Sequence, residues 1–261
     1  MSPSSRLDYA YAVGRVHAME IHLISKDALE AAVEEQEMSS SMKVIVDAGD
    51  FREERIEFRN ARELDDYLEE ERRAFLADVI KLFREEFFRR LIDRKDRTRE
   101  LWSLVQESEY VFVRDYVRHL LDLKNLKVFL RARYLELTRD RVAPLFLAGG
   151  FLEKGKLAEN FSLPLSEVSE VLHATPYRRI WDQAVDSLTE EDTFADLERG
   201  CEDFLMAYLR RARRIVFGPE PVFAFILAKL KELEQVRFIG MGKLLQIPAQ
   251  ILRRRIFETY V

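Results

Sequence analysis

The stretch that decides the fold is Gly218–Val261. It reads Gly218-Pro-Glu-Pro, Val222-Phe-Ala-Phe-Ile-Leu-Ala228, Lys229-Leu-Lys-Glu-Leu-Glu-Gln-Val-Arg237-Phe-Ile, Gly240-Met-Gly242-Lys, and a further helical pattern to Tyr260-Val261. Pro219 and Pro221 suit a first helical turn, where a missing N–H costs nothing. Val222 to Ala228 is apolar on every side, which predicts a helix whose first half is buried within protein. Charges then enter, while Leu230, Leu233 and Val236 keep an apolar stripe at helical spacing. Gly240 and Gly242 are expected to stop this helix. Pro248 is expected to open the next, with Ile251, Leu252, Ile256 and Phe257 on one face. Tyr260-Val261 stands directly on that helix, so this end is expected to be packed against something.

Upstream, Ser2–Arg6 reads as a mobile tail. Val13, Val16, Met19 and Leu23 predict a first helix from about Leu7 into the twenties. Ser25 can cap a second over 28–37. Residues 39–51 are ambiguous by pattern. Val44 and Val46 alternate as in a strand, and a hairpin toward Arg55-Ile-Glu-Phe58 stands beside a helix as an open alternative. Asn60 with Glu63 resembles a capping box opening a long helix through Leu64, Leu68, Phe75, Val79, Leu82, Phe83, Phe87 and Leu91. After a charged break at 93–99, a pattern from Leu101 to about Thr138 would approach about 55 Å as one helix, so a break or kink is expected. Pro144 is expected to open a short helix that Gly149-Gly150 ends, and Leu163-Pro164 another running to His173-Ala174. Thr175 is expected to cap a helix at Pro176, and Thr189 to begin a last long one ending at Phe217.

Composition limits the function classes. The chain has 261 residues, 48% hydrophobic and 34% charged, with nine Gly and seven Pro, the balance of a helical protein with solvated faces. A net charge of −5 argues against nucleic acid as a partner. The longest uninterrupted apolar run, Val222–Ala228, falls far below the roughly 20 residues of a membrane-spanning helix. Met1–Arg6 lacks the apolar core of a signal peptide, and a lone Cys201 cannot form an internal disulfide.

No reactive constellation stands out. Gly150-Phe-Leu-Glu-Lys-Gly155-Lys156 matches much of a phosphate-binding loop, but Leu157 occupies the position of the required hydroxyl and a helix precedes it, so an ordinary helix–helix connection is favoured. His17 and His22 are five residues apart, off the three-or-four spacing of a metal pair on one helical face. Cys201 reads as a small core residue. The basic runs Arg210-Arg211-Ala-Arg213-Arg214 and Arg253-Arg254-Arg255 read as solvated flanks, or as contacts for anionic lipid headgroups or an acidic protein surface. No cofactor, metal site, catalytic residue or small-molecule substrate is expected.

Segments also resemble one another. Leu123-Lys-Asn-Leu-Lys parallels Leu230-Lys-Glu-Leu-Glu; Ser162-Leu-Pro-Leu-Ser to Thr175-Pro-Tyr177 parallels Gln246-Ile-Pro-Ala-Gln to Thr259-Tyr260; Arg15-Val-His-Ala-Met19 before Leu23 parallels Arg237-Phe-Ile-Gly-Met241 before Leu244. A single all-α domain of three divergent helical units, about 7–95, 100–187 and 189–261, is expected.

Three blocks in order resemble one known family: Tyr9-Ala-Tyr-Ala-Val-Gly-Arg15-Val-His-Ala-Met-Glu20; then Asp122-Leu-Lys-Asn125-Leu-Lys127, Leu130-Arg131-Ala132, Pro144-Leu-Phe and Gly149-Gly150; then Gly218-Pro-Glu-Pro, Ala228-Lys229, Lys243-Leu-Leu and Ile247-Pro248 before Tyr260-Val261. The chain is similar to the C subunit of the archaeal and bacterial A/V-type ATPases, the family that includes the vacuolar d subunit. The resemblance implies a funnel-shaped body of three related units and a short helix at 39–49, capped by a serine and ending at Gly49. It implies a non-catalytic rotor part at the cytoplasmic face of the membrane, a socket between the shaft subunits D and F and the proteolipid ring, serving ATP-linked proton or sodium transport. Asp122, Asn125, Arg131, Glu220, Lys229, Arg237 and Lys243 match the family pattern and are expected to hold helices together or to touch a partner. Two features depart from that pattern: a shorter stretch before Gly149-Gly150, and Glu232-Leu-Glu234-Gln235-Val where an acid followed by Asn is expected. The rival readings are a generic helical scaffold unrelated to rotary ATPases, and a nucleotide enzyme using Gly150–Lys156.

Overall fold

The structure, a computed structural model, describes residues 6–51, 55–95 and 97–261. The tail expected at Ser2–Arg6 lies outside them as far as Ser5. Among the described residues there are helices and no strand, so the protein is all-α. The α-helices in chain order are α1 (Ala10–Glu20), α2 (Lys26–Glu34), α3 (Met38–Ala48), α4 (Ala61–Val79), α5 (Glu86–Asp93), α6 (Thr98–Val105), α7 (Val111–Tyr134), α8 (Arg139–Val142), α9 (Lys154–Glu159), α10 (Leu165–Val171), α11 (Arg178–Glu191), α12 (Ala195–Arg210), α13 (Glu220–Leu244) and α14 (Ala249–Arg255). They divide into two compact units, Met1–Arg89 with Met206–Val261, and Arg90–Leu205.

In the first unit α1, α2, α3 and α4 all pack against α13, and α14 packs on α2. The apolar run explains why α13 takes this place: every residue from Val222 to Ala228 is buried. Leu233, Val236 and Ile239 carry the contact onward into a core with Leu29, Met42, Ile45, Leu64 and Leu252. The helix does not stop at Gly240 or Gly242; it runs on to Leu244. Both glycines serve close approach instead. A Cβ on Gly240 would lie 2.7 Å from Leu64 Cδ2, and one on Gly242 2.8 Å from Leu252 Cδ1. Pro248 does precede α14; Leu252 within it and Ile256 just after it are buried, but Ile251 is 58% exposed. Tyr260 is buried, and Arg213 donates to its carbonyl oxygen.

The ambiguous stretch is helix, α3, ending at Gly49. Its N-cap is Glu37 rather than a serine, and Ser41 lies inside the helix, donating to the Ala32 carbonyl. Ser25 caps α2 by accepting from the Ala28 N–H. Asn60 caps α4 by accepting from the Glu63 N–H, while Glu63 reaches Arg59 instead of closing the reciprocal half of a box. The stripe read as one helix to Leu91 is broken after Val79. Phe83 is extended there and stacks on Phe88, centroids 4.7 Å apart, which a continuous helix would not allow.

In the second unit α6 packs on α7, and α10 on α11. The break expected between Leu101 and Thr138 falls at residues 106–110. Phe129 on α7 anchors the core against Phe161 and Trp181, centroids 5.0 and 5.3 Å away. Pro144 lies in a 3₁₀ turn rather than opening an α-helix. Thr175 does not cap α11; it braces the preceding turn, donating to Leu172 and accepting from Tyr177 N–H. Thr189 is inside α11, and α12 begins only at Ala195, whose N–H donates to Thr193.

Candidate functional site

The chemistry-bearing side chains of the two long helices turn inward and hold backbone. On α7, Asp122 is fully buried. Its carboxylate accepts from Phe151 N–H at 2.9 Å, Leu152 N–H at 3.0 Å and the Tyr177 hydroxyl at 2.8 Å. Burial pushes the Asp122 carboxyl above its usual range, against the opposing pull of those hydrogen bonds and of Arg118. The same burial, with the Asp122 charge beside it, raises Tyr177 strongly. One turn on, Asn125 clasps a single residue twice, donating to the Leu147 carbonyl at 2.9 Å and accepting from its N–H at 2.7 Å. Together they fix the bend at 147–152. Gly150 is where that bend touches the carboxylate: a Cβ would stand 2.7 Å from Asp122 Cγ. Gly149, at φ +103°, presses on the Trp102 ring. The glycine pair thus belongs to the Asp122 clasp, and Lys154 and Lys156 lie in the short helix α9 beyond it.

Within the first unit, α13 repeats the arrangement with side chains one methylene longer. Glu232 accepts from Ile24 N–H at 2.6 Å, and Gln235 accepts from Phe257 N–H at 3.1 Å. Gln235 and Phe257 are 22 residues apart, as are Asn125 and Leu147. Both helices then end alike, with Glu136 and Gln246 in the left-handed region and the following N–H bonded back five residues, Leu137 to Ala132 and Ile247 to Gly242. The turn before each close carries a base that satisfies carbonyls. Arg133 donates to Phe161 and Leu163, and Lys243 to Val33 and Glu35. The corresponding positions are 110 residues apart. Leu123 and Leu230, alike in local sequence, lie about one turn out of this register, because an apolar stripe looks the same after three residues.

The remaining pattern-matched residues are likewise engaged inside the chain. Arg131 pairs with Glu198, which also takes Lys127 at 2.7 Å. Glu220, at the N-terminus of α13 where a carboxylate is favoured, is held by Arg6 at 2.8 and 3.1 Å. Lys229 pairs with Glu232. Arg237 grips Asp65 at 2.6 and 3.1 Å, which raises the guanidinium further. Lys243 completes the C-terminal end of α2, its burial lowering the amino group. Asp122 and Asn125 converge on one bend; the other five do not form a cluster with them. The sequence pattern left out Glu232 and Gln235, which stood only as departures. Their three-residue spacing, the same as Asp122 to Asn125, was the available signal.

Reactive groups are sparse. Burial pushes the Cys201 thiol up to about 12. Among the described residues no group of three His, Cys, Asp or Glu could hold a metal ion, and no helix is long and apolar enough to cross a membrane. Of the basic runs, Arg210 pairs with Glu258, Arg213 with Glu20 and Arg253 with Glu34, while Arg211 lies over Tyr208 and Arg255 over Phe238.

The model of the ATP synthase (C/AC39) subunit family matches residues 95–255, which include Asp122, Asn125, Glu232 and Gln235. The chain belongs to this family. The A-type ATP synthase C subunit of Methanothermobacter thermautotrophicus is 29% identical over 49% of this chain and 34% of its own length. That of Methanococcoides burtonii is 27% identical over 54% of this chain and 40% of its own. The V-type sodium ATPase C subunit of Enterococcus hirae is 23% identical over 54% of this chain and 42% of its own. The match therefore spans about two-fifths or less of the length of these C/AC39 relatives. No solved structure matches significantly.

Proposed function

We propose that this C/AC39-family chain is a non-catalytic central-stalk subunit of an A/V-type ATPase or ATP synthase. It acts as a socket at the cytoplasmic face of the membrane, coupling a D–F shaft to the proteolipid ring so that ATP turnover and proton or sodium movement stay linked. The observation that carries this reading is the family match over residues 95–255, with relatives named as the C subunit of such machines. The site adds a physical argument. A part that transmits torque must resist bending, and buried side chains bonded to distant backbone supply that resistance. Asp122, Asn125, Glu232 and Gln235 are all committed to that task. We also propose that the α7–α8 and α13–α14 segments are two of three related units, on the strength of their shared bonding pattern, with the first unit approximated by residues 7–95.

The test is co-elution of the full chain with a purified D–F complex at low and physiological salt. A stable ternary species supports the socket. Free chain at every salt concentration sinks it and leaves a helical scaffold of the same family fold as the surviving reading.

A further inference from the structure

The first unit contains a cavity of about 440 Å³ lined by the end of α1, Asp50 and Phe51, α4 and α13, a volume typical of small-molecule sites. Its apolar lining includes Phe75, Phe225 and Leu233, and Phe75 and Phe225 meet edge to face at 5.7 Å. Lys229 also lines it and is only 6% exposed. An ammonium carries three N–H donors. One of them goes to Glu232 Oε1, and Phe51 covers another side, its ring centre 5.1 Å from Nζ. The remaining donor capacity has no protein acceptor among the described residues, which is costly for a buried charge unless something supplies one. The other Glu232 oxygen is engaged by the Ile24 N–H. Of the wall carboxylates, Asp78 is paired with Arg15 and Lys81, Asp50 is exposed, and Glu71 is buried with an interaction of its own.

We propose that this cavity binds an amphipathic monocarboxylate, its head on Lys229 Nζ and its apolar body against Phe75, Phe225 and Leu233. A carboxylate suits the head position better than a neutral hydroxyl because a charge-assisted hydrogen bond is about twice as strong as a neutral one. The inference rests on the cavity alone and is independent of any role in a rotary machine.

The test is calorimetric titration of the full chain with decanoate, decanol and decylammonium below their micellar concentrations. Saturable one-to-one binding of decanoate is expected, at least tenfold tighter than of either other probe. Lys229→Met should weaken it at least tenfold. So should Ala74→Trp, which fills the wall of the cavity from a half-exposed helical position and leaves Lys229 untouched. Melting curves establish that each variant is folded; should Lys229→Met unfold, Ala74→Trp decides. Absence of saturable decanoate binding, equal binding of decylammonium, or unchanged affinity in Ala74→Trp would each overturn the proposal.

Discussion

Glu136 and Gln246 share a left-handed backbone, φ 53° and 55°, although neither side chain favours it. Each closes a long helix with the same pair of backward backbone bonds. Counting back from these two residues, Asp122 and Glu232, Asn125 and Gln235, and Arg133 and Lys243 stand at equal distances along α7 and α13. One helical device is thus built twice, with Asp and Asn in one copy and Glu and Gln in the other. The extra methylene lets Glu232 reach the Ile24 N–H, a donor far away in sequence, where Asp122 meets donors 29 and 30 residues downstream.

The shared conformation makes a first prediction. Glycine adopts positive φ without the steric cost of a Cβ, although it loses more entropy on folding. Glu136→Gly and Gln246→Gly should therefore each stabilise their own unit by about 0.5 kcal/mol, read as a shift in urea midpoint at unchanged slope. A loss of stability in both would mean that these side chains make contacts worth more than the strain.

Glycines in other settings should respond with opposite signs. Gly150→Ala pushes a methyl group into the Asp122 carboxylate and the bend it holds, which should cost about 2–4 kcal/mol through overpacking and lost hydrogen bonds. Gly14, in the interior of α1, has nothing within 4 Å of the position a methyl group would take. Gly14→Ala should stabilise by about 0.5–1 kcal/mol. Chemical denaturation of the two variants side by side measures both, and equal effects would contradict the packing described around Gly150.

Cys201 should be chemically silent in the folded protein. Its thiol is buried and pushed up to about 12, and the thiolate is the reactive species. At pH 8, iodoacetamide should leave it unmodified for hours in buffer and alkylate it within minutes in urea, as followed by intact mass. Rapid labelling of the native chain would place Cys201 at the surface.

Helix class and the burial of Val222–Ala228 were legible in sequence, because periodicity and apolar runs report directly on which face is buried; Asp122 and Asn125 stood out only through the family resemblance, and no periodicity marks them. Helix ends were less legible. Gly240 and Gly242 look like stops, yet their role is to let Leu64 and Leu252 approach α13, a tertiary demand with no local signature. Thr175 and Thr189 look like caps, but a hydroxyl can bond its own preceding turn equally well, as both do here. The second clasp was hidden for a different reason. Glu232 and Gln235 keep the three-residue spacing of Asp122 and Asn125, but the change of residue type masks the match, and the backbone groups they hold lie far off in sequence.

The two best-defined carboxylates should shape acid stability in opposite senses. Burial raises Asp122, so the native state holds its proton more tightly than the unfolded chain does. Its stabilising contribution is full below the unfolded value near 3.8 and is lost as pH rises through the folded value. Glu258 is lowered, first by its hydrogen bonds to Lys26 and Arg210. Its contribution is present above the unfolded value of 4.5 and is lost as pH falls through the folded one. Wild type compared with Asp122→Asn should thus lose relative stability as pH increases from 4 toward neutrality. Compared with Glu258→Gln it should hold its advantage at neutral pH and surrender it toward pH 3. Urea midpoints between about pH 3 and 7 give both curves, and parallel curves would mean that one of the two carboxylates does not sit in the environment described.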